Sequence, residues 1–273
     1  MCDYGRHDYE WINNGDRIEA PLSRDATGVS RAVGWKDALT SLLEGVESLS
    51  GESVQVVASP RGSNEDLAAL ARLEDALGGG DKVFRVSQAD RELTLPGFPT
   101  LARRKDLEPN VVGAELLGMR RVGNTDGTGG LEAVKNHGGI IVVLGDMLED
   151  QDEGFGANAG LYVYLGTHEC AATKAAHLVL PVSTYAEQEG TFTNHEGRVQ
   201  RFWPALQPPG MARPAWLILG AVVAALAGET APRTAAEAFT NLTEDVPALN
   251  GLSYAGVGMN GALSATAAPA SAD

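Results

Sequence analysis

Cysteine is scarce in this chain. Its 273 residues include two, Cys2 and Cys170. That is too few for the disulfide framework of a small secreted scaffold, so a reducing compartment is expected. Positive charge is also in short supply: 21 Lys and Arg face 36 Asp and Glu, a net charge of −15. A chain so acidic is not expected to grip nucleic acid phosphates or an anionic membrane surface. Long apolar runs are missing. The best is Ala215–Ala227, thirteen residues where about 20 are needed to span a bilayer, and it reads as a buried helix. The first twenty residues have neither the basic nor the apolar region of a signal peptide. Walker A and G-x-S-x-G motifs are absent, and no two of the five histidines have metal-ligand spacing with a second acid or thiolate.

What remains is a chain with 44% hydrophobic residues, enough for a sizeable core, and with 33 glycines and 13 prolines, a sign of many turns. Residues 1–24 read as an irregular cap or short helix and an extended arm. Residues 35–49 have a helical period, with Trp35, Ala38, Leu39, Leu42, Leu43 and Val46 on one stripe. Val54–Ala58 reads as a strand. A helix follows from Asn64, with Glu65 and Asp66 in its first turn. Val83–Val86 is a second strand. After a turn-rich stretch over 87–130 and a short helix at 131–136, Ile140–Leu144 and Leu161–Leu165 are continuous apolar runs of the kind buried on both faces of a parallel sheet. A helix is expected over His168–Ala176 and a strand over Leu178–Leu180. The fold class expected is α/β, an open, mostly parallel, doubly wound sheet. Residues 183–206 read as a polar loop whose Thr191, Thr193 and Asn194 satisfy its own backbone, so that Glu187, Glu189 and Glu196 form no catalytic cluster. The Ala-rich stretch 229–273 is expected to be largely flexible.

Few constellations carry chemistry. Gly256-x-Gly258-x-x-Gly261 matches the dinucleotide fingerprint literally but lacks the preceding strand and following helix that give it meaning. His168-Glu169-Cys170 are neighbours that diverge around a helix. Cys170 reads as a buried, inert thiol.

Cys2 stands out by context. It heads Cys2-Asp3-Tyr4-Gly5-Arg6, then Trp11-Ile12-Asn13, Asp16-Arg17-Ile18 and Pro21-Leu22, with Trp35 opening the next helix. This run resembles the segment carrying the fourth cysteine of the 4Fe–4S cluster in the molybdopterin oxidoreductase superfamily. A second block runs from Ala176-His177-Leu178-Val179-Leu180-Pro181 through Thr184-Tyr185-Ala186-Glu187 and Glu189-Gly190-Thr191-Phe192-Thr193-Asn194 to Glu196-Gly197-Arg198-Val199-Gln200. It resembles the same superfamily, and within it the large iron–sulfur subunit of NADH-quinone oxidoreductases, or complex I. Ser59-Pro60-Arg61 with Asn64-Glu65, and Pro96-Gly97-Phe98-Pro99, fit that subunit too.

The resemblance divides the chain at 1–24, a remnant of the cluster domain and connecting arm; 25–228, the molybdopterin oxidoreductase-like region; and 229–273, the tail. It implies a structural or electron-transfer subunit of a peripheral arm that carries electrons from NADH to quinone, with no active site of its own. Cys2 is then the one cofactor-binding and metal-ligating residue, the fourth ligand of a 4Fe–4S cluster. The other three ligands, in a C-x-x-C-x-x-x-C motif, do not precede it here. The chain is therefore expected to be a fragment, to have a misassigned start, or to be part of a split subunit. No molybdenum is expected, because neither cysteine lies where the superfamily places its metal ligand. The partners implied are other peripheral-arm subunits, above all an iron–sulfur cluster domain, on the cytoplasmic side of the inner membrane and without insertion into it. The arm's Tyr4, Tyr9, Trp11 and Ile12 are expected to pack poorly until that partner covers them. Two other readings stay open: a molybdopterin-dependent enzyme of the formate dehydrogenase kind, and a stand-alone nucleotide-binding α/β domain.

Overall fold

A computed structural model describes residues 10–13, 16–86, 92–104, 106–122 and 131–265. Cys2, Tyr4 and Tyr9 lie outside the described residues.

Among the described residues the central sheet has eight strands. Six run parallel: β3 (Val54–Ala58), β4 (Gly80–Arg85), β7 (Arg120–Val122), β8 (Ile140–Leu144), β9 (Leu161–Gly166) and β10 (Leu178–Pro181). Their spatial order is β7-β4-β3-β8-β9-β10. The chain starts in the middle, winds outward to β7, returns to β8 and winds the other way, which is the doubly wound arrangement expected. β1 (Leu22–Arg24) then lies antiparallel against β10, with β2 (Ser30–Ala32) outside it.

Period-2 burial builds two cores. Val56, Val142, Val163 and Leu180 point to one face, under helices α2 (Trp35–Ser48), α3 (Asn64–Ala76) and α6 (Ala215–Ala227). Val57, Val143, Tyr162, Tyr164 and Val179 point to the other, with Leu148, Phe155 and Ala172. All of β8 and β9 is buried, as their unbroken apolar runs require. Helix α6 packs along α3 and ends at Gly228, whose φ of +69° is the left-handed C-cap geometry.

Several expectations are corrected. Within 87–130, read as irregular, a hairpin of β5 (Leu93–Leu95) and β6 (Phe98–Arg103), the short helix α4 (Val111–Leu116) and β7 all form, and β7 joins the sheet. The helix at 131–136 is the single turn α5 (Glu132–Lys135). The helix expected over His168–Ala176 shrinks to a 3-10 turn, Ala171–Ala175. Residues before it are held extended: His168 bridges Arg17, and Asp146 takes the amide protons of Thr167 and His168. The polar stretch 183–206 contains two strands, β11 (Gly190–Thr193) and β12 (Arg198–Phe202), antiparallel and with Phe192 stacked on Phe202.

Regular elements form in the stretch between Gly228 and residue 265. Helix α7 (Ala235–Asp245) starts at Thr234, whose hydroxyl accepts the Glu237 N–H, and buries Ala235, Ala238, Phe239 and Leu242. That i, i+3, i+4, i+7 stripe was masked by the Ala- and Thr-rich composition. Helix α8 (Tyr254–Val257) and β13 (Ala262–Leu263), paired with β12, complete it. Gly256 lies in α8 and Gly261 just before β13, helix before strand, the reverse of a dinucleotide-binding turn.

Among the described residues of the arm, Trp11 and Ile12 are better packed than expected. In the first helix, α1 (Glu10–Asn13), Ile12 is buried, and Trp11 sits half-buried between the rings of His168 and Tyr185, at 6.2 and 6.5 Å. The rings of partly buried His168 and exposed Tyr185 give Trp11 a surface to pack on.

Candidate functional site

In an open parallel sheet the crevice for a ligand lies beyond the carboxyl ends of the strands, where the winding reverses. Here that point is between β3 and β8. A cleft of about 330 Å3 opens there, lined by Ser59 and Arg61 after β3, Arg85 and Val86 at the end of β4, Glu108, and Asp146, Met147, Glu149 and Asp150 after β8. The two strand ends approach closely at Gly145. Its φ is +100°, and a Cβ there would sit 2.5 Å from that of Ser59, so the turn admits only glycine.

The cleft is strongly cross-linked. The Arg61 Nε–H donates to Glu108 at 2.7 Å. Arg85 forms a two-pronged pair with Asp150, at 2.6 and 2.5 Å, and also donates to the Met147 carbonyl oxygen at 2.8 Å. The Arg85 hydrogen bonds hold the Asp150 carboxyl well below the usual carboxylate range, at about 2. Asp146 is a hub. Its Oδ1 accepts the Tyr164 hydroxyl at 2.8 Å and the backbone N–H groups of Thr167 and His168 at 2.9 and 3.1 Å, and its Oδ2 accepts the Thr167 hydroxyl.

The charges set what the cleft can hold. Four carboxylates line it against two guanidiniums, and each guanidinium is already committed to a carboxylate. The helix start that would greet a phosphate is also taken. At the head of α3, Ser63 and Asp66 cap each other: the Ser63 hydroxyl accepts the Asp66 N–H at 3.0 Å, and Asp66 accepts the Ser63 N–H at 3.1 Å. Asp66 also accepts the Trp216 N–H, capping α6. Two buried carboxylates, Glu65 and Asp66, therefore stand where a nucleotide phosphate would profit from the helix dipole. This geometry opposes an anionic ligand.

The residues singled out from sequence are dispersed. Glu187 pairs with Arg17, Glu189 accepts the Tyr254 hydroxyl at 3.4 Å, and Glu196 is exposed. These three carboxylates do not converge. Asn194 does satisfy backbone, accepting the Glu196 and Arg198 N–H groups. Thr191 and Thr193 do not: their partners are the side chains of Asn64, Glu65 and Asn110. Those partners are distant in sequence, which is why the segment alone looked self-sufficient. Cys170 is half-buried, its thiol donating to the Leu148 carbonyl oxygen at 3.7 Å, and burial pushes that thiol up. Among the described residues no three His, Cys, Asp or Glu side chains converge as a metal site. Among them too, no helix is long and apolar enough to cross a membrane. The Arg61–Glu108 and Arg85–Asp150 pairs were missed. The one sequence signal for them is position, since Arg61 follows β3 closely and Arg85 ends β4.

Residues 112–225 match the family model of the molybdopterin oxidoreductases. A formate dehydrogenase alpha subunit of Methanococcus maripaludis is 40% identical over 90 residues, 32% of this chain and 13% of that protein. An NADH-quinone oxidoreductase subunit of Rhizobium meliloti is 38% identical over 92 residues, 34% of this chain and 11% of that one. The mitochondrial NADH-ubiquinone oxidoreductase 78 kDa subunit of Candida albicans is 45% identical over 60 residues, 22% of this chain and 8% of that one. The matched stretches thus span a small part of each relative.

Proposed function

We propose that this chain, through its molybdopterin oxidoreductase-like region, serves as a scaffolding domain without an active site of its own in an NADH-quinone oxidoreductase-type assembly. The observation that carries the reading is the cross-linked, carboxylate-rich cleft at the switch point. A molybdopterin cofactor brings phosphate with it. The residues present do not fit that group: both arginines are paired, α3 begins with carboxylates, and Asp146 spends its oxygens on four hydrogen bonds. Two of the matched relatives are, by name, subunits of NADH-quinone and NADH-ubiquinone oxidoreductases.

In this reading the chain sits in the peripheral arm, on the cytoplasmic side. Cys2 is its contribution to a 4Fe–4S cluster whose other ligands come from elsewhere, because two cysteines cannot supply four thiolates.

The formate dehydrogenase relative favours the second reading, a molybdopterin-dependent oxidoreductase. Protein purified without oxygen decides between them by molybdenum, iron and pterin analysis, combined with co-purification from membranes. The scaffold reading expects no molybdenum or pterin, and NADH-quinone oxidoreductase subunits in the eluate. One molybdenum per chain overturns it.

A further inference from the structure

Hydrogen bonds at His177 tie three strands together. The residue stands immediately before β10, and its partners Tyr162 and Arg24 lie in β9 and β1. Its backbone N–H donates to the Tyr162 carbonyl oxygen at 2.8 Å, and its carbonyl oxygen accepts the Arg24 N–H at 2.9 Å. A further bond returns from Tyr162, whose N–H donates to the imidazole Nδ1 at 2.9 Å. In a parallel ladder that N–H would be taken by a carbonyl of the adjoining strand. Here β10 has not yet begun, and the ring of His177 takes the carbonyl's place.

The direction of that bond fixes the chemistry of the ring. A backbone N–H can only donate, so Nδ1 must present its lone pair to Tyr162, and the proton of the neutral ring sits on Nε2. A second proton, on Nδ1, would set one N–H against another. Tyr162 is fully buried, and its N–H would then be an unpaired backbone donor away from water, which is costly. The groups around the ring do not welcome a charge. Strand β1 brings Arg24, whose own charge bears on the ring, β9 brings the buried Tyr162, and the 3-10 turn carries Lys174, which is exposed. Among the described residues no carboxylate pairs with the ring. Burial, and then Arg24, hold the imidazole below its ordinary 6.5.

We propose that His177 is an acid-released latch at one corner of the sheet: neutral, its ring closes β9 onto the start of β10 and keeps β1 seated beside them, and taking up a proton frees that corner. Opening brings the ring into water, where it takes a proton at its ordinary value. The open state therefore binds the proton more tightly than the closed one. Well above 6.5 neither state is protonated and the latch is at its tightest. As pH falls below 6.5, opening becomes steadily easier. The corner that opens is the one on which the N-terminal arm is docked, because the Arg24 N–H hangs on the His177 carbonyl oxygen and Leu22 and Ser23 pair with β10.

Amide hydrogen exchange at Tyr162 and Arg24 in the full chain, corrected for the intrinsic pH dependence of exchange, tests this between pH 5 and 8. Protection of both amides should be level above 6.5 and fall by up to roughly tenfold per pH unit below it, while amides in β8 show no such slope. His177→Asn places an amide oxygen where Nδ1 stands and does not titrate, so it should keep the protection and lose the slope. A wild-type chain with no slope overturns the latch, as does a slope that survives in His177→Asn. Nitrogen NMR of the wild-type ring needs no variant: a proton on Nε2 alone at pH 8 supports the latch, and a proton on Nδ1 overturns it.

Discussion

The guanidinium of Arg17 grips the carboxylate of Glu187 across 170 residues of sequence, with both nitrogen–oxygen distances at 2.9 Å and 5% and 3% of the side chains exposed. The pair is extended at both ends. Arg17 also donates to the Ile12 carbonyl oxygen at 3.1 Å, and Glu187 accepts the Thr184 N–H at 2.8 Å. It bolts the arm to the turn that precedes β11. Removing one partner leaves the other charged and buried. Glu187→Gln is expected to cost about 3–5 kcal/mol in urea unfolding. Arg17→Met combined with Glu187→Leu should cost clearly less than either single change, because it removes both charges. Equal losses in single and double variants would show that the charges are not what matters.

Acid should act on the cleft. Arg85 depresses the Asp150 carboxyl to about 2 in the folded protein, below its ordinary 3.8. The stabilisation this pair supplies is present above 3.8 and is lost as pH falls toward 2. The melting temperature followed from pH 5 to pH 2 should drop less steeply in Asp150→Asn than in the wild type. The effect should be small, since Asp150 is 57% exposed. Superimposable profiles would refute it.

Anionic ligands should be refused. Adding NADH or a guanine nucleotide at millimolar concentration is expected to leave the melting temperature unchanged. Glu149→Gln together with Asp150→Asn removes the carboxylate that Arg85 grips and takes the charged groups of the cleft from two excess negative charges to balance. That double variant should gain a measurable shift with the same nucleotides. A shift in the wild type would contradict the cleft as read above.

The caps of α3 and α6 share Asp66. Ser63→Ala removes the hydroxyl that accepts the Asp66 N–H, and should cost about 1 kcal/mol as an ordinary N-cap loss. Asp66→Ala strips caps from two helices and leaves the buried Gln188 side chain without its partner. Chemical unfolding should therefore show it to be several times more damaging than Ser63→Ala. Equal losses would mean that Asp66 serves α3 alone.

The sheet could be read in the sequence because its strands are buried on both faces. Ile140–Leu144 has no polar residue to blur its pattern, and Asn64 with Glu65 and Asp66 announces a helix start. Doubly wound order followed from strands alternating with helical periods. The site could not be read so fully, because its parts meet only after the winding is complete. Arg85 and Asp150 come from different strand ends, and Glu65 meets Thr191 across 126 residues. Glu65 at a helix start looks like an ordinary dipole-complementing acid, and only the seating of β11 against it makes it a buried one. The flexible reading of 229–273 fails over 229–265 for another reason: alanine contributes little hydrophobic signal, yet Phe239 and Leu242 need only small neighbours to sit flush on α3 and α6.

Strand β1 lies antiparallel beside β10, with Leu22 opposite Val179 and Ser23 opposite Leu178. A chain synthesised from its N-terminus makes the covering strand early and the strand it covers late. Until residue 179 has emerged, Leu22–Arg24 has only the short strand β2 beside it, and until β1 docks, the edge of β10 is open to strands from other molecules. Closing this pair demands one of the longest loop closures in the fold, the kind of contact that slows folding. The nascent protein should therefore be most vulnerable to aggregation in the interval between completing β9 and seating β1, which is where a chaperone would have the greatest effect.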